Sequence, residues 1–166
     1  MVNGVNRQPL DESAIWREME KITDPEIPVL SLVDMKIIRS VTLREGKATV
    51  VFSPTFVGCP ALEYIKNEIR EHLGAMGCTD VDIETTYSPP WSTEMLDENV
   101  REKLRAFGIA PPARSVQIAA TLTIPATCPF CGSIHTHMEN EFGATLCKQL
   151  FYCDDCRQSF ERFKTI

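Results

Sequence analysis

Cys128-Pro129-Phe130-Cys131-Gly132 and Cys153-Asp154-Asp155-Cys156 decide how the C-terminal part of this chain folds. Each Cys-x-x-Cys pair turns two thiols toward one point, and the pairs are separated by 21 residues. Four thiolates at this spacing suit tetrahedral Zn²⁺, whose bonds to sulfur are about 2.3 Å long. Gly132 directly after the first pair suits the tight turn of such a knuckle. Iron or a cluster on the same ligands is the alternative. A segment this short has little apolar core of its own, so metal binding supplies much of its folding free energy. Cys128, Cys131, Cys153 and Cys156 are therefore assigned to a zinc ribbon. Four closed thiolates leave no open coordination position, which makes the metal structural and not catalytic.

The ribbon's strands are expected over 135–142, 145–152 and 159–163, with a further strand over 116–124 leading into them. Cys147 lies between the two pairs, either as a half-buried thiol or as an auxiliary ligand. His135 and His137 alternate along a strand, which allows a weak metal site or simple solvation.

Upstream, the pattern is α-β-β-α-β-α, which predicts a small α+β domain with a three-stranded sheet. Ile15, Met19 and Ile22 recur at helical spacing behind Asp11-Glu12-Ser13, predicting a helix over 11–22. Asp24-Pro25-Glu26-Ile27-Pro28 breaks it, and 29–35 reads as a turn of helix or a compact loop. Segments 37–43 and 47–52 flank Glu45-Gly46 as a hairpin. Leu62, Ile65, Ile69 and Leu73 form one apolar stripe of a helix ending at Gly74 or Gly77. Pro60 fits the first position of that helix, with Cys59 as its N-cap. Val81, Ile83 and Thr85 alternate with acidic residues as a third strand, and 93–107 reads as one helix. Ala110-Pro111-Pro112-Ala113 is a candidate linker, dividing the chain into residues 1–112 and 113–166.

With 43% hydrophobic residues the chain can bury a core. No apolar run approaches the roughly 20 residues of a membrane span. Residues 1–10 lack the apolar core of a signal peptide, so the expected location is the cytoplasm. Seven cysteines in that reducing compartment read as metal or redox chemistry, not disulfides. The net charge of −6 lies entirely in residues 1–112, and residues 113–166 balance. Neither part has the basic stripe of a nucleic-acid binder. No nucleic-acid or membrane partner is expected.

Cys59 is the candidate reactive group. A thiol at a helix start faces unpaired N–H groups, which stabilise a thiolate and lower its pKa. Asp24 and Glu26 add hard ligands or shape the loop. The competing reading is a turn at Asp24-Pro25 and a Cys59 packed under the helix. Nucleophilic catalysis needs a base, and His72 lies about 20 Å further along the same helix. No catalytic residue is assigned.

Three segments carry a family resemblance: ITDPEIPVLSLVDM (22–35), VVFSPTFVGCPALEYIKNEIR (50–70) and YSPPWSTEMLDENVREKLRAFGIAPP (87–112). Together with the ribbon's CPFCGS and EFGATLCKQLFYCDDCRQSFERFK, they resemble the PaaD family of phenylacetyl-CoA 1,2-epoxidase D subunits. The N-terminal part is similar to SufT-like iron–sulfur assembly factors, whose hallmarks match Asp24 to Glu26 and Thr55 to Pro60. One departure is Asp34-Met35-Lys36, where those factors often carry Asp-Leu-Gly, and a different turn is expected there. The resemblance implies an accessory or maturation subunit of a multicomponent oxygenase in aerobic phenylacetate degradation. It would assist insertion of iron or a transient iron–sulfur cluster into a partner, with Cys59, Asp24 and Glu26 as the cargo site. Its partners would be the di-iron oxygenase and reductase components, and a homodimer is also allowed. The alternative is a non-catalytic subunit bridging oxygenase and reductase. The chain has no Glu-x-x-His pair, no Gly-x-Gly-x-x-Gly and no P-loop, so it lacks the usual motifs for di-iron, dinucleotide or ATP binding.

Overall fold

Asp11 opens the first helix, accepting from the Ala14 amide at 2.7 Å. The structure is a computed structural model that describes residues 10–113 and 125–165. Helix α1 spans Glu12–Met19 and buries Ala14, Ile15 and Met19. It is shorter than the sequence suggests because Thr23–Asp24 (β1) turns back to pair with Ile27–Ser31 (β2). The stretch expected as a compact loop thus begins as a strand. Its turn follows over 32–36, where the Met35 amide bonds the Ser31 carbonyl at 3.0 Å.

Strands β3 (Ile38–Arg44) and β4 (Lys47–Phe52) form the expected hairpin. Glu45 and Gly46 have φ of 50° and 83°, the double positive φ of a type I′ turn. After β4 the chain crosses through α2 (Leu62–Met76) and returns as β5 (Asp80–Thr85), parallel to β4. The sheet order is β3-β4-β5. Ala48, Val50 and Phe52 alternate into the core, where Ile65, Ile69 and Leu73 of α2 meet Ile15 and Met19 of α1. Gly77, with φ of 101°, caps α2, whereas Gly74 lies inside it.

The helix expected over 93–107 is two pieces, a 3₁₀ turn at Thr93–Met95 and α3 at Glu98–Ala106. Leu96 is extended, and Asp97 starts α3 by accepting from the Val100 amide at 3.0 Å. A local cap outweighs the continuous apolar period here. Buried Arg101 ties this corner together by donating to the carbonyls of Thr93 and Pro112.

Ile109–Ala110 (β6) does not belong to a free linker. It pairs parallel with Ser159–Phe163 (β9), which pairs with Lys148–Cys153 (β8) and through it with Thr136–Asn140 (β7). The ribbon sheet is therefore four-stranded, β6-β9-β8-β7. The strand expected over 116–124 lies outside the described residues. The ribbon strands are shorter than expected because the Lys148 amide closes a turn on the Thr145 carbonyl at 3.1 Å before β8 begins.

Two apolar clusters result. The larger one takes in α1, α2, α3 and the three-stranded sheet, and it also includes fully buried Phe163 from β9. The smaller one packs Ala110, Ala126, Phe151 and Phe160 beneath Cys128 and Cys153. Trp91 joins the parts: its indole N–H donates to the Met35 carbonyl at 2.7 Å and its ring lies 6.1 Å from that of Phe163.

Lys36 occupies the place of the missing glycine and has φ of 57°. Lys36 thus adopts the left-handed conformation that glycine favours, which strains a lysine. Its exposed contact with Asp97 at 3.5 Å adds little. Lys36→Gly is expected to raise unfolding free energy by about 0.5–1 kcal/mol in urea denaturation. Phe163→Ala should cost about 3–5 kcal/mol of global stability, followed by Trp91 fluorescence, with zinc content unchanged. A loss below about 1 kcal/mol would mean the ribbon is only tethered to the larger core.

Candidate functional site

The ribbon's two knuckles are near copies. In the first, the Gly132 amide bonds the Cys128 carbonyl at 2.9 Å; in the second, the Arg157 amide bonds the Cys153 carbonyl at 2.8 Å. Gly132 and Arg157, each just after the second cysteine of its pair, both take left-handed φ, 77° and 59°. The knuckles bring all four Sγ atoms within 4.8 Å of one another. Cys128 and Cys156 are 3.7 Å apart, and Cys131 and Cys153 are 3.6 Å apart. A tetrahedral centre with metal–sulfur bonds of about 2.3 Å has sulfur–sulfur edges of about 3.8 Å, so the four thiols fit one such ion. The separations are far longer than the roughly 2.05 Å of a disulfide. Among the described residues this is the single cluster of three or more metal-ligating groups so closely spaced.

His135 and His137 do not join it. Both are exposed, and their Nδ1 atoms lie 3.3 Å from the carboxylates of Asp155 and Asp154, the two residues inside the second knuckle. His72 is likewise engaged, 2.7 Å from Glu18.

The second constellation is a cleft lined by Asp24, Glu26, Thr55, Cys59, Leu146 and Cys147, among others. It is small, about 20 Å³, room for one water-sized occupant. Asp24 Oδ1 accepts from the amides of Glu26 at 2.8 Å and Ile27 at 3.0 Å, which fixes its carboxyl over the β1–β2 turn. The Cys147 thiol lies 3.7 Å from Glu26 Oε2 and 3.1 Å from the Thr145 hydroxyl. Lys148, the nearest lysine in sequence, is paired with Glu161 at 2.7 Å.

Cys59 is not the N-cap of α2. Ala61 takes that position, and Cys59 sits in a preceding tight turn whose carbonyl accepts from the Leu62 amide at 3.2 Å. Its thiol still meets the Ala61 and Leu62 amides, but burial, with the nearby Glu26 and Asp24 carboxylates, pushes its pKa up and not down. Burial also raises Asp24 above the usual carboxylate range, against the two amides. Cys147 is pushed up to about 11 by burial, with Glu26 and Asp24 adding to the effect.

The pairing of Cys147 with this cleft is what sequence reasoning missed. It placed Cys147 among the ribbon thiols, because 121 residues separate it from Glu26 and no local spacing links them.

With this geometry in view, two family models match the chain: an iron–sulfur cluster assembly protein over residues 12–84 and the PaaD zinc beta ribbon domain over residues 113–164. An Escherichia coli protein named for the D component of a 1,2-phenylacetyl-CoA epoxidase is 41% identical over 152 residues, 92% of each chain. A Porphyromonas gingivalis iron–sulfur protein maturation auxiliary factor is 32% identical over 95 residues, 56% of this chain and 90% of that one. A crystal structure of a Bacillus anthracis domain of unknown function shares the fold, with a TM-score of 0.52 and 23% identity over 56% of this chain and 90% of that one. Fold and thiol set thus define an iron–sulfur-assembly-type α+β domain carrying a four-cysteine zinc ribbon. The chain belongs to the PaaD family, that of the phenylacetyl-CoA epoxidase D subunits. No helix among the described residues is long and apolar enough to cross a membrane.

Because the Cys147 thiol stays protonated through neutral pH, its alkylation by iodoacetamide should be slow at pH 7.5. The rate should climb about tenfold per pH unit until it levels near pH 11. Mass spectrometry of the labelled peptide reads this directly, and a plateau below pH 9 would contradict the buried, carboxylate-flanked setting.

Proposed function

We propose that this chain is an accessory and maturation subunit of a phenylacetyl-CoA ring 1,2-epoxidase, assisting insertion of iron or an iron–sulfur cluster into a partner component. The observation that carries this reading is the small cleft that Cys59, Asp24 and Glu26 line together within an assembly-type fold. The names of the Escherichia coli and Porphyromonas gingivalis relatives supply the two halves of the role, the epoxidase and the maturation. In this reading residues 1–112 carry the cargo chemistry. Residues 113–166 form a Zn²⁺-stapled docking unit for the oxygenase or reductase component. The setting is the cytoplasm.

The chemistry suits transfer better than turnover. Cys59 is a soft donor and Asp24 and Glu26 are hard ones, a set that accepts iron. Burial favours the protonated form of the Cys59 thiol, so cation binding must displace its proton. Affinity at neutral pH is thereby held below that of a fully ionised set, which favours release to a partner. The zinc ligands stay outside the transfer, since a closed tetrahedron of thiolates offers no open position.

Elemental analysis of wild type beside Cys59→Ser, both purified anaerobically from cells making the epoxidase components, tests this. One zinc per chain is expected in both, with iron associated only with wild type. Epoxidase activity in those cells should fall at least tenfold for Cys59→Ser. Normal activity and normal iron in the partner components would remove the maturation role. Stable co-purification at fixed stoichiometry would then point to a bridging subunit instead.

A further inference from the structure

One wall of the Cys59 cleft belongs to the ribbon. Leu146 and Cys147, from the segment entering β8, face Cys59, Asp24 and Glu26 across it. The space left between the walls is about 20 Å³, too small for an iron–sulfur cluster. Among the described residues only the four ribbon thiols bring three or more metal-ligating atoms within reach of one point, so the donors of this cleft stand apart. Cys59 is thus half-buried in a cleft that has no room for cargo. The segment that shuts it, residues 141–147, lies between β7 and β8 and joins neither ladder. A buried ion pair holds it down. Lys148 Nζ lies 2.7 Å from one oxygen of Glu161, and the other oxygen accepts from the Ala144 amide. Gly143 closes the same knot, its amide donating to the Lys148 carbonyl at 2.8 Å. A Cβ at Gly143 would stand 2.5 Å from that second Glu161 oxygen and 3.2 Å from Lys148 Cβ, so any other residue pushes the carboxylate off the Ala144 amide.

We propose that residues 141–147 are a cover over Cys59, clamped shut by the Lys148–Glu161 pair, and that the structure is the closed, autoinhibited state of the cleft. Cys147 is tied to the ribbon, its carbonyl accepting from the Lys164 amide at 2.8 Å, so the part that swings aside is Leu146 and the residues before it. Leu146 is already exposed on its outer side, and lifting it costs little apolar burial. The cover is an addition of the ribbon-bearing chain. The Porphyromonas gingivalis factor has 90% of its length matched by 56% of this chain, and the tenth left over is too short for a ribbon. The inference rests on the maturation reading and adds a gate to it: whatever Cys59 takes reaches the thiol only with the cover lifted.

The experiment alkylates the full, Zn²⁺-loaded chain with iodoacetamide at pH 7.5 and follows the Cys59 peptide by mass spectrometry. Leu146→Gly removes the side chain of the cover, and Gly143→Ala displaces the clamp. Cys78 is the internal control, because it packs against the larger core past the far end of α2, whose 15 residues span about 22 Å. The Cys59 rate should rise about tenfold in each variant, as expected when access is limited by local opening, with the Cys78 rate and the zinc content unchanged. An unchanged Cys59 rate in both variants would overturn the cover. A parallel rise at Cys78 would mean that the whole fold has loosened, and it overturns the cover equally. Should Gly143→Ala lose zinc, Leu146→Gly, at an exposed position, decides alone. The rates do not depend on cargo, so loss of the cover leaves the maturation reading to its own test on Cys59→Ser, and failure of that test leaves the rates as they are.

Discussion

Convergence of four thiols on one point is the constraint from which the C-terminal architecture follows. Each knuckle needs a residue in the left-handed region, and the chain places Gly132 in one and Arg157 in the other. A non-glycine residue accepts that conformation only where surrounding interactions over-determine it. With the knuckles closed, β8 and β9 run antiparallel from Cys153 and Gln158 outward, and the ladder ends at Lys148 and Phe163. Phe163 is thereby delivered into the larger core beside Trp91, and the Lys164 amide reaches the Cys147 carbonyl. The thiol tetrahedron thus acts at a distance: it sets the strand register that places both a core aromatic and a cleft thiol.

The two thiol groups of the chain are separated in chemistry by this arrangement. In the ribbon, sulfur–sulfur separations near 3.7 Å match a closed tetrahedron, and a bound ion has no free valence for exchange. In the cleft, two thiols stand beside two carboxylates, and burial holds both thiols in their protonated form. Amides of α2 point at Cys59, yet burial and two carboxylates outweigh them. The net direction follows from competition between a few N–H dipoles and the loss of solvent around a charge. A site whose donors hold their protons until a cation arrives binds in a pH-dependent way.

Much of this was legible in the sequence, and the failures share a cause. The hairpin around Glu45-Gly46, the stripe of α2 and the alternation of β5 rest on local periodicity, and the structure has them where the pattern puts them. The four ribbon cysteines carry their own spacing. What was misread depends on competition between neighbours or on contacts across the chain. Asp97 claims a helix start inside an apolar run; a turn at Cys59 shifts the α2 cap to Ala61; Ile109 and Ala110 pair with residues more than fifty positions away. Lys36 is a further case, a left-handed backbone at a residue type that does not favour it.

The pairing of β6 with β9 bears most on how the chain works as a unit. A ribbon joined by a free linker would move independently, and Cys147 would then have no fixed relation to Glu26. Here three contacts oppose that motion: the β6–β9 ladder, the Trp91–Phe163 pair and the burial of Phe163 in the larger core. Each joins residues from different units, so separating them would expose an aromatic core residue and break ladder hydrogen bonds together. Burial of a phenylalanine alone is worth about 1.5–3 kcal/mol. Any displacement of the ribbon would therefore have to break these contacts together, and with them the 3.7 Å approach of the Cys147 thiol to Glu26.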